Sequence, residues 1–435
     1  MTAYSGERIE SIDVLRGVAV LGILLMNIVS MGLPFAAYDD PTIIGNRGPI
    51  DYWTWAVATV LVEGRMRAIF SMLFGAGVVL MAERAEARGE SSARLHVRRN
   101  LWLVLIGAAH AYLLLWPGDI LFTYAVAGLS LFALRRLRPR TLLILAGLVL
   151  ALQLPRIVTT NRELAEASGG LRDLARLTEA GEVLTPEQET WRQRWHNRIS
   201  QEKPTPEMLR ATVDQRQRGY LSNLSAAAPS TLYIETTYLY QVGLWDAMAM
   251  MLAGMALLKL GVFSASRSFR LYALMAAVGY GVGMPIAVWE VADWTRQGFE
   301  PGLRWASLHD TTRVAIATGH IAVVMALCKA GVFGRLTRLL AAAGRMALTN
   351  YILQTAIGMT LVCGFGFGWY GRLARHELYY VVGAIWVVQL LGSAAWLGRY
   401  RFGPLEWVWR SLTYGRRQAM MRGGPGDGGI TTGAA

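Results

Sequence analysis

The sequence predicts an all-α, polytopic transmembrane helix bundle of about ten spans, with both termini in the cytoplasm. Three observations predict it. Of the 435 residues 54% are hydrophobic and only 17% are charged, where a soluble domain carries about 25% charge; mean hydropathy is +0.33. Apolar runs recur along the chain, most of them close to the roughly 20 residues that cross about 30 Å of hydrocarbon as a helix. Arginines crowd into alternate loops between those runs.

In order, the expected spans are 14–33, 52–82, 101–116, 119–134, 141–158, 236–259, 271–291, 313–329, 346–366 and 379–397. The second is too long for one straight crossing. Gly64 and the charges Glu63, Arg65 and Arg67 interrupt it, so the helix is expected to break there, as membrane helices do where backbone lines a cavity.

The loop charges set the orientation. One set holds Arg84, Arg88, Arg94, Arg98 and Arg99, then Arg135, Arg136, Arg138 and Arg140, then Lys259, Arg267 and Arg270, then Lys329, Arg335, Arg338 and Arg345. The alternate set holds only Arg47, Arg296, Arg304, Arg372 and Arg375. The positive-inside rule puts the rich set, the N-terminus and the arginine-bearing tail in the cytoplasm. The net charge of +13 is this signal. No nucleic-acid-binding motif accompanies it, so nucleic acid is not expected as a partner; the lipid bilayer is.

Four regions follow. Residues 1–158 form an N-terminal five-helix membrane half, and 236–412 a C-terminal one. Residues 413–435 form a cytoplasmic tail whose glycine-rich end reads as disordered. Between the halves, 159–235 is a polar insert expected outside, since long segments translocate largely regardless of charge. Thr185-Pro186-Glu187-Gln188 reads as a helix start with a capping box, and Thr205-Pro206 repeats the cap and proline. The insert is expected to be a solvated cap, or a lid over an outer cavity. The N-terminal run continues to about Leu33 and does not read as a cleavable signal peptide. Cys328 and Cys363 fit neither a disulfide framework nor a metal pattern, and no metal-binding spacing is present.

Chemistry is sought in polar groups within the spans, because each is costly in hydrocarbon without a partner. His110 lies near the outer end of the third span, and Asp119 follows across the short Trp116-Pro117-Gly118 turn. A hairpin that tight brings both to one depth, where a carboxylate can orient an imidazole as a base. Asn27, fourteen residues beyond Asp13, reaches a similar depth. Its alternative role is helix–helix glue. Glu63, Arg65 and Arg67 sit at the expected break. Asp246 and His320 lie mid-span. Asn350 and Gln354, four residues apart, share one helical face.

Several stretches resemble a known family. Arg8-Ile9-Glu10-Ser11-Ile12-Asp13-Val14-Leu15-Arg16-Gly17 with Asn27, Phe70-Ser71-Met72-Leu73-Phe74-Gly75, Gly118-Asp119-Ile120-Leu121-Phe122-Thr123-Tyr124-Ala125, and Gly344-Arg345-Met346-Ala347-Leu348-Thr349-Asn350-Tyr351-Ile352-Leu353-Gln354 look like the bacterial YeiB-like membrane proteins, whose domain is one of unknown function. That resemblance implies the bacterial inner membrane, and its motif brings Tyr124 into the candidate site. The Asp13-x-x-Arg16-Gly17 opening with Asn27 is more distantly similar to the lysosomal heparan-glucosaminide acetyltransferase, of the transmembrane acyltransferase clan. This second likeness implies a cavity across the membrane, with acetyl-CoA or another acyl-CoA as donor and no permanently bound cofactor. The acetyltransferase carries its catalytic histidine shortly after the matching asparagine; here Phe35-Ala36-Ala37-Tyr38-Asp39-Asp40 has none, so that role is not transferred.

Three functions compete. An acyltransferase would pass an acyl group from a cytoplasmic donor to an extracytoplasmic glycan or lipid head group. His110 and Asp119 would be catalytic, and Asn27, Glu63, Arg65, Arg67, Tyr124, Asn350 and Gln354 would bind substrate. Arg98, Arg99, Arg335, Arg338 or Arg345 would meet donor phosphates. A transporter or flippase would use the same intramembrane charges and broken helix. A structural protein without turnover would need neither.

Overall fold

The computed structural model describes residues 9–200, 202–300 and 306–422. Arg8, Arg304 and the end of the tail from 423 onward, named above, lie outside them. Among the described residues the structure is helical apart from one isolated β-bridge, Tyr400 to Met421. The helices are α1 (Glu10–Gly32), α2 (Ala36–Asp39), α3 (Pro49–Leu61), α4 (Arg65–Ala87), α5 (Ser92–Leu113), α6 (Leu121–Leu131), α7 (Pro139–Glu179), α8 (Pro186–Ile199) and α9 (Pro206–Arg216). There follow α10 (Tyr220–Tyr233), a π-helical segment (Ile234–Gly243), α11 (Leu244–Lys259), α12 (Phe269–Arg296), α13 (Ala306–Ala330), α14 (Gly334–Arg345), α15 (Ala347–Val362), α16 (Arg375–Arg399) and α17 (Pro404–Tyr414).

Seven helical segments among the described residues are long and apolar enough to cross a membrane: Glu10–Gly32, Pro49–Ala87, Pro139–Glu179, Tyr220–Lys259, Phe269–Arg296, Leu308–Ala330 and Arg375–Arg399. The three other expected spans are also helices, α5, α6 and α15. Of these, α6 and α15 are short, and α5 begins with a polar turn containing Arg94, Arg98 and Arg99.

Glu63 and Gly64 do interrupt the second segment. α3 stops at Leu61 and α4 starts at Arg65; between them Gly64 adopts φ +72°, a left-handed conformation that L-residues with a Cβ resist. His320 of α13 holds the broken end, bonding the Leu61 carbonyl at 2.8 Å and the Tyr280 hydroxyl at 2.8 Å. A carbonyl can only accept, so Nε2 carries the proton and Nδ1 receives the Tyr280 hydroxyl.

The expected boundary at 158 falls inside α7, which runs on unbroken for 41 residues with Pro155 in its interior. The caps at Thr185 and Thr205 form as the sequence suggests, the first as a complete capping box. The insert then folds back onto the bundle. The Gly364 amide donates to the Arg216 carbonyl at 2.9 Å, Gln217 donates to the Gly368 carbonyl at 3.1 Å, and the Tyr220 hydroxyl donates to the Leu113 carbonyl at 2.8 Å. A Lys203–Glu300 ion pair adds a tether. Burial pushes the Glu300 carboxyl up, but Lys203 outweighs it and leaves the group below its ordinary value. These contacts cover the end of the bundle opposite the arginine-rich loops.

Close packing rests on glycine. A Cβ on Gly344 of α14 would overlap the Asp13 carbonyl oxygen of α1, and one on Gly17 would overlap the Leu340 carbonyl. The α4–α11 contact is built the same way from Gly75 and Gly254, and the α12–α13 contact from Gly279 beside Gly319. Gly107 does this for α5 and α6, where a Cβ would come 2.5 Å from the Phe122 amide. Small residues that let backbones meet are what helix association in lipid calls for.

Candidate functional site

The centre of the bundle is α4, packed against α1, α5, α6, α11 and α13. Between Arg65 and Leu80 every residue of α4 is buried except Met66, Arg67, Phe70, Phe74 and Gly77. These lie three or four residues apart and make one stripe along the helix. A Cβ built on Gly77 would meet nothing within 4 Å. We read this partly open stripe, on a helix packed against five others, as one wall of a crevice between them. Arg67 is the most open residue of the stripe, with 46% of its side-chain surface accessible.

On α1, Arg16, Ile23 and Asn27 fall on a common face. Arg16 and Asn27 are half-buried there. Next on that face, Ile23 packs in one apolar cluster with Tyr351, and Met31 in another with Trp116. Asn27 therefore lies between the layers of Tyr351 and Trp116. Its amide makes no hydrogen bond among the described residues.

At that level the Trp116-Pro117-Gly118 turn folds α6 back against α5. His110 Nδ1 lies 2.7 Å from Asp119 Oδ1, and His110 Nε2 lies 2.9 Å from Thr355 Oγ1. Asp119 also accepts the Phe122 amide at 2.8 Å, so it caps α6 while it holds the imidazole. A carboxylate accepts only, so Nδ1 carries a proton, and in the neutral imidazole Nε2 is then the nitrogen that accepts from the Thr355 hydroxyl. The Tyr351 ring, one turn before Thr355, tilts over the imidazole at 5.0 Å. His110 and Asp119 side chains are 0% and 2% exposed. Glu235, on the π-helical segment, lies within electrostatic reach of Asp119 and Tyr112; π-helical turns concentrate at functional sites.

The break before α4 carries a second polar assembly. Arg65 is 1% exposed; it donates to the Glu63 carbonyl, to Glu63 Oε2 at 3.2 Å and to Thr312 Oγ1 at 3.4 Å. His309 Nε2 lies 3.2 Å from the same carboxylate oxygen. Thr312 in turn donates to the His309 carbonyl at 2.9 Å, with Glu290 Oε2 3.4 Å from the same hydroxyl. Arg313 pairs with Asp246, and with Asp310 at 2.9 Å, while Arg67 reaches Asp246 only at 3.8 Å. A narrow recess beside this network is lined by Thr59, Arg65, Glu290, Trp294 and His309. Tyr124, five residues beyond Asp119, reaches across to α4 beside this network. Its hydroxyl accepts from Ser71 at 2.6 Å and donates to the Arg67 carbonyl at 3.1 Å, and its ring stacks on Phe70 with Phe74 tilted against it.

Asn350 and Gln354 point elsewhere. They share a face, as their spacing requires, but it is the face turned to α16 and α1. Asn350 donates to Ser393 Oγ at 3.0 Å, and Gln354 to Gln389 Oε1 at 2.9 Å and the Val20 carbonyl at 3.3 Å. Tyr351 and Thr355, one position on, form the i,i+4 face toward His110. Glu290, His309, Asp310, Arg313 and Thr355 were not picked out from sequence. A signal for three of them was present in the His309-Asp310-x-x-Arg313 spacing just before an apolar run. At the arginine-rich end, Arg99 stacks on Phe74 at 5.6 Å and Trp409 at 4.7 Å, with Arg16 and Arg410 in electrostatic range. Arg98 packs on the Gly415 backbone, Arg345 donates to the Arg401 carbonyl at 3.4 Å, and Arg335 and Arg338 lie exposed on α14.

Comparison with known proteins places the chain. Its sequence is similar to that of the uncharacterized protein YeiB of Escherichia coli (strain K12), 31% identical over 94% of this chain and 96% of that one. The chain belongs to the YeiB-like family. A family profile described as "Protein of unknown function (DUF418)" matches residues 257–416. The uncharacterized protein YxaH of Bacillus subtilis (strain 168) is similar at 29% identity, and a 39.9 kDa protein of Bacillus acidopullulyticus at 28%, each over 94% of this chain and 95% of the relative. No solved structure matches. This YeiB-like chain is an integral membrane protein by its apolar helices. The profile takes in Arg313 and Thr355 but neither His110 nor Asp119.

Proposed function

We propose that this protein is a transmembrane acyltransferase of the bacterial inner membrane. It would move an acyl group from a cytoplasmic donor, acetyl-CoA or another acyl-CoA, to a hydroxyl of an extracytoplasmic glycan or lipid head group. One observation carries the reading: the aligned Asp119, His110 and Thr355, in which Nε2 already lies 2.9 Å from a hydroxyl. An acceptor hydroxyl taking that position loses its proton to Nε2 as its oxygen bonds to the thioester carbonyl carbon. The carbon–sulfur bond then breaks, and His110 returns the proton to the leaving thiolate. Asp119 keeps Nδ1 protonated and steadies the imidazolium. The crevice along Met66, Phe70 and Phe74 supplies a path, and Arg99, with Arg16 and Arg410 nearby, supplies cations for donor phosphates at its arginine-rich mouth.

The test uses membrane vesicles carrying the chain and acetyl-CoA labelled in its acyl group. His110→Ala should lower label transfer by about 10²-fold or more while the protein stays inserted. Transfer at the wild-type rate would overturn the assignment. The charges beside the broken helix favour a second reading, a transporter. It predicts uptake or flipping of substrate without acyl-CoA, which the same vesicles without donor detect.

A further inference from the structure

Arg67 stands apart from the buried arginines Arg65 and Arg313. Arg65 is held by Glu63 and Thr312, and Arg313 by Asp246 and Asp310. Arg67 donates no hydrogen bond to any described residue, and its one ion pair is loose, with Nη2 3.8 Å from Asp246 Oδ2. That carboxylate already pairs with Arg313 through its other oxygen. A guanidinium has five N–H donors in a planar fork. Within a membrane-spanning segment such donors need partners, and with 46% of the Arg67 side chain accessible they are open to whatever fills the crevice. The side chain faces the crevice, where Tyr38 of α2, Tyr124 of α6 and Tyr238 of the π-helical segment lie in electrostatic range. Glu63 is held by Arg65 and His309, and Asp310 pairs with Arg313; Asp246 is the carboxylate that ion-pairs with Arg67, with Asp310 also in electrostatic range.

We infer that Arg67 binds an anionic oxygen group, a phosphate or carboxylate, on the molecule that occupies the crevice. The acceptor is then an anionic head group or an anionic glycan rather than a neutral sugar. This rests on the reading of the crevice as the acceptor's site. Planar, two-point recognition of such a group is what arginine does and lysine does not.

The test is thermal unfolding of the purified full chain in non-ionic detergent, at ionic strength held constant with chloride. The probes are glycerol phosphate against glycerol, and phosphatidylglycerol against phosphatidylcholine in mixed micelles. A phosphate-bearing probe should raise Tm by about 2 °C or more, and its neutral or zwitterionic counterpart should not. A response to glycerol phosphate points to a soluble acceptor; a response to phosphatidylglycerol alone points to a lipid head group. Arg67→Gln should abolish the shift. Should that variant fail to fold, Arg67→Lys keeps the charge without the fork and should lose at least half of it. Equal shifts with counterpart probes, no shift with any anionic probe, or a full shift in either variant would overturn the inference. His110→Ala should keep the shift while losing transfer. Binding without any wild-type transfer sinks the acyltransferase reading alone, and transfer without binding sinks this one alone.

Discussion

Two polar assemblies lie inside the bundle, and they are built on opposite plans. The His110 assembly is small and linear: one carboxylate, one imidazole and one hydroxyl, each at 2.7–2.9 Å. The assembly at the helix break is broad. Three arginines, four carboxylates and His309 come from the α3–α4 turn, α4, α11, α12 and α13, and some of its pairs are loose. The difference is one of tolerance. A linear chain has a directed proton path and little redundancy. A branched network can lose or exchange a contact and still satisfy most of its charges, which suits a place where a ligand's charge must be accommodated.

Stability measurements can break this contrast, and the largest effect belongs to the network. Asp246→Asn strips Arg313 and Arg67 of a shared counter-charge and should cost about 3–5 kcal/mol. Asp246→Asn combined with Arg313→Met should recover most of that, as measured by unfolding in detergent. A single variant as stable as wild type would mean that the network is wet and screened. Next comes the break itself. Gly64→Ala puts a Cβ on a left-handed residue, 2.8 Å from Arg313 Cδ, and should cost about 1–2 kcal/mol. No loss of stability there would show that the turn relaxes without the network noticing. The smallest effect sharpens the other side. Thr355→Val should cost about 1 kcal/mol and, if Thr355 only marks the acceptor's position, reduce transfer less than about tenfold. A loss as large as that of His110→Ala would instead make Thr355 a participant.

What sequence could reveal divides along the same line. The His110–Asp119 approach was legible because the connection around Trp116-Pro117-Gly118 is short: seven residues join α5 to α6, so the two helix ends must sit near one depth. The break was legible because Gly64 and three charges interrupt an apolar run. The network was not, since its members are up to 250 residues apart and Glu290, His309 and Asp310 stand at the ends of apolar runs, where charge ordinarily means helix-end solvation. Asn350 and Gln354 show a different limit. Helical spacing says which residues share a face but not which neighbour the face meets, and here the partner is Gln389 and Ser393 rather than the crevice. The length of α7 was hidden for a third reason: amphipathic continuation past residue 158 carries helical periodicity without the hydropathy that marks a span.

The glycine contacts have a mechanical consequence. Four helix pairs, α1–α14, α4–α11, α5–α6 and α12–α13, meet backbone to backbone, and such seams resist sliding because there is no side chain to re-rotamer. The bundle behaves as a few riveted blocks whose movable joints are the seams filled by side chains. His110 and Asp119 ride on one block, so their spacing survives any rearrangement of the others. Thr355 sits across a joint from His110, and Tyr124 across a joint from Arg67. Motion at those joints therefore changes what the imidazole faces, not how it is held.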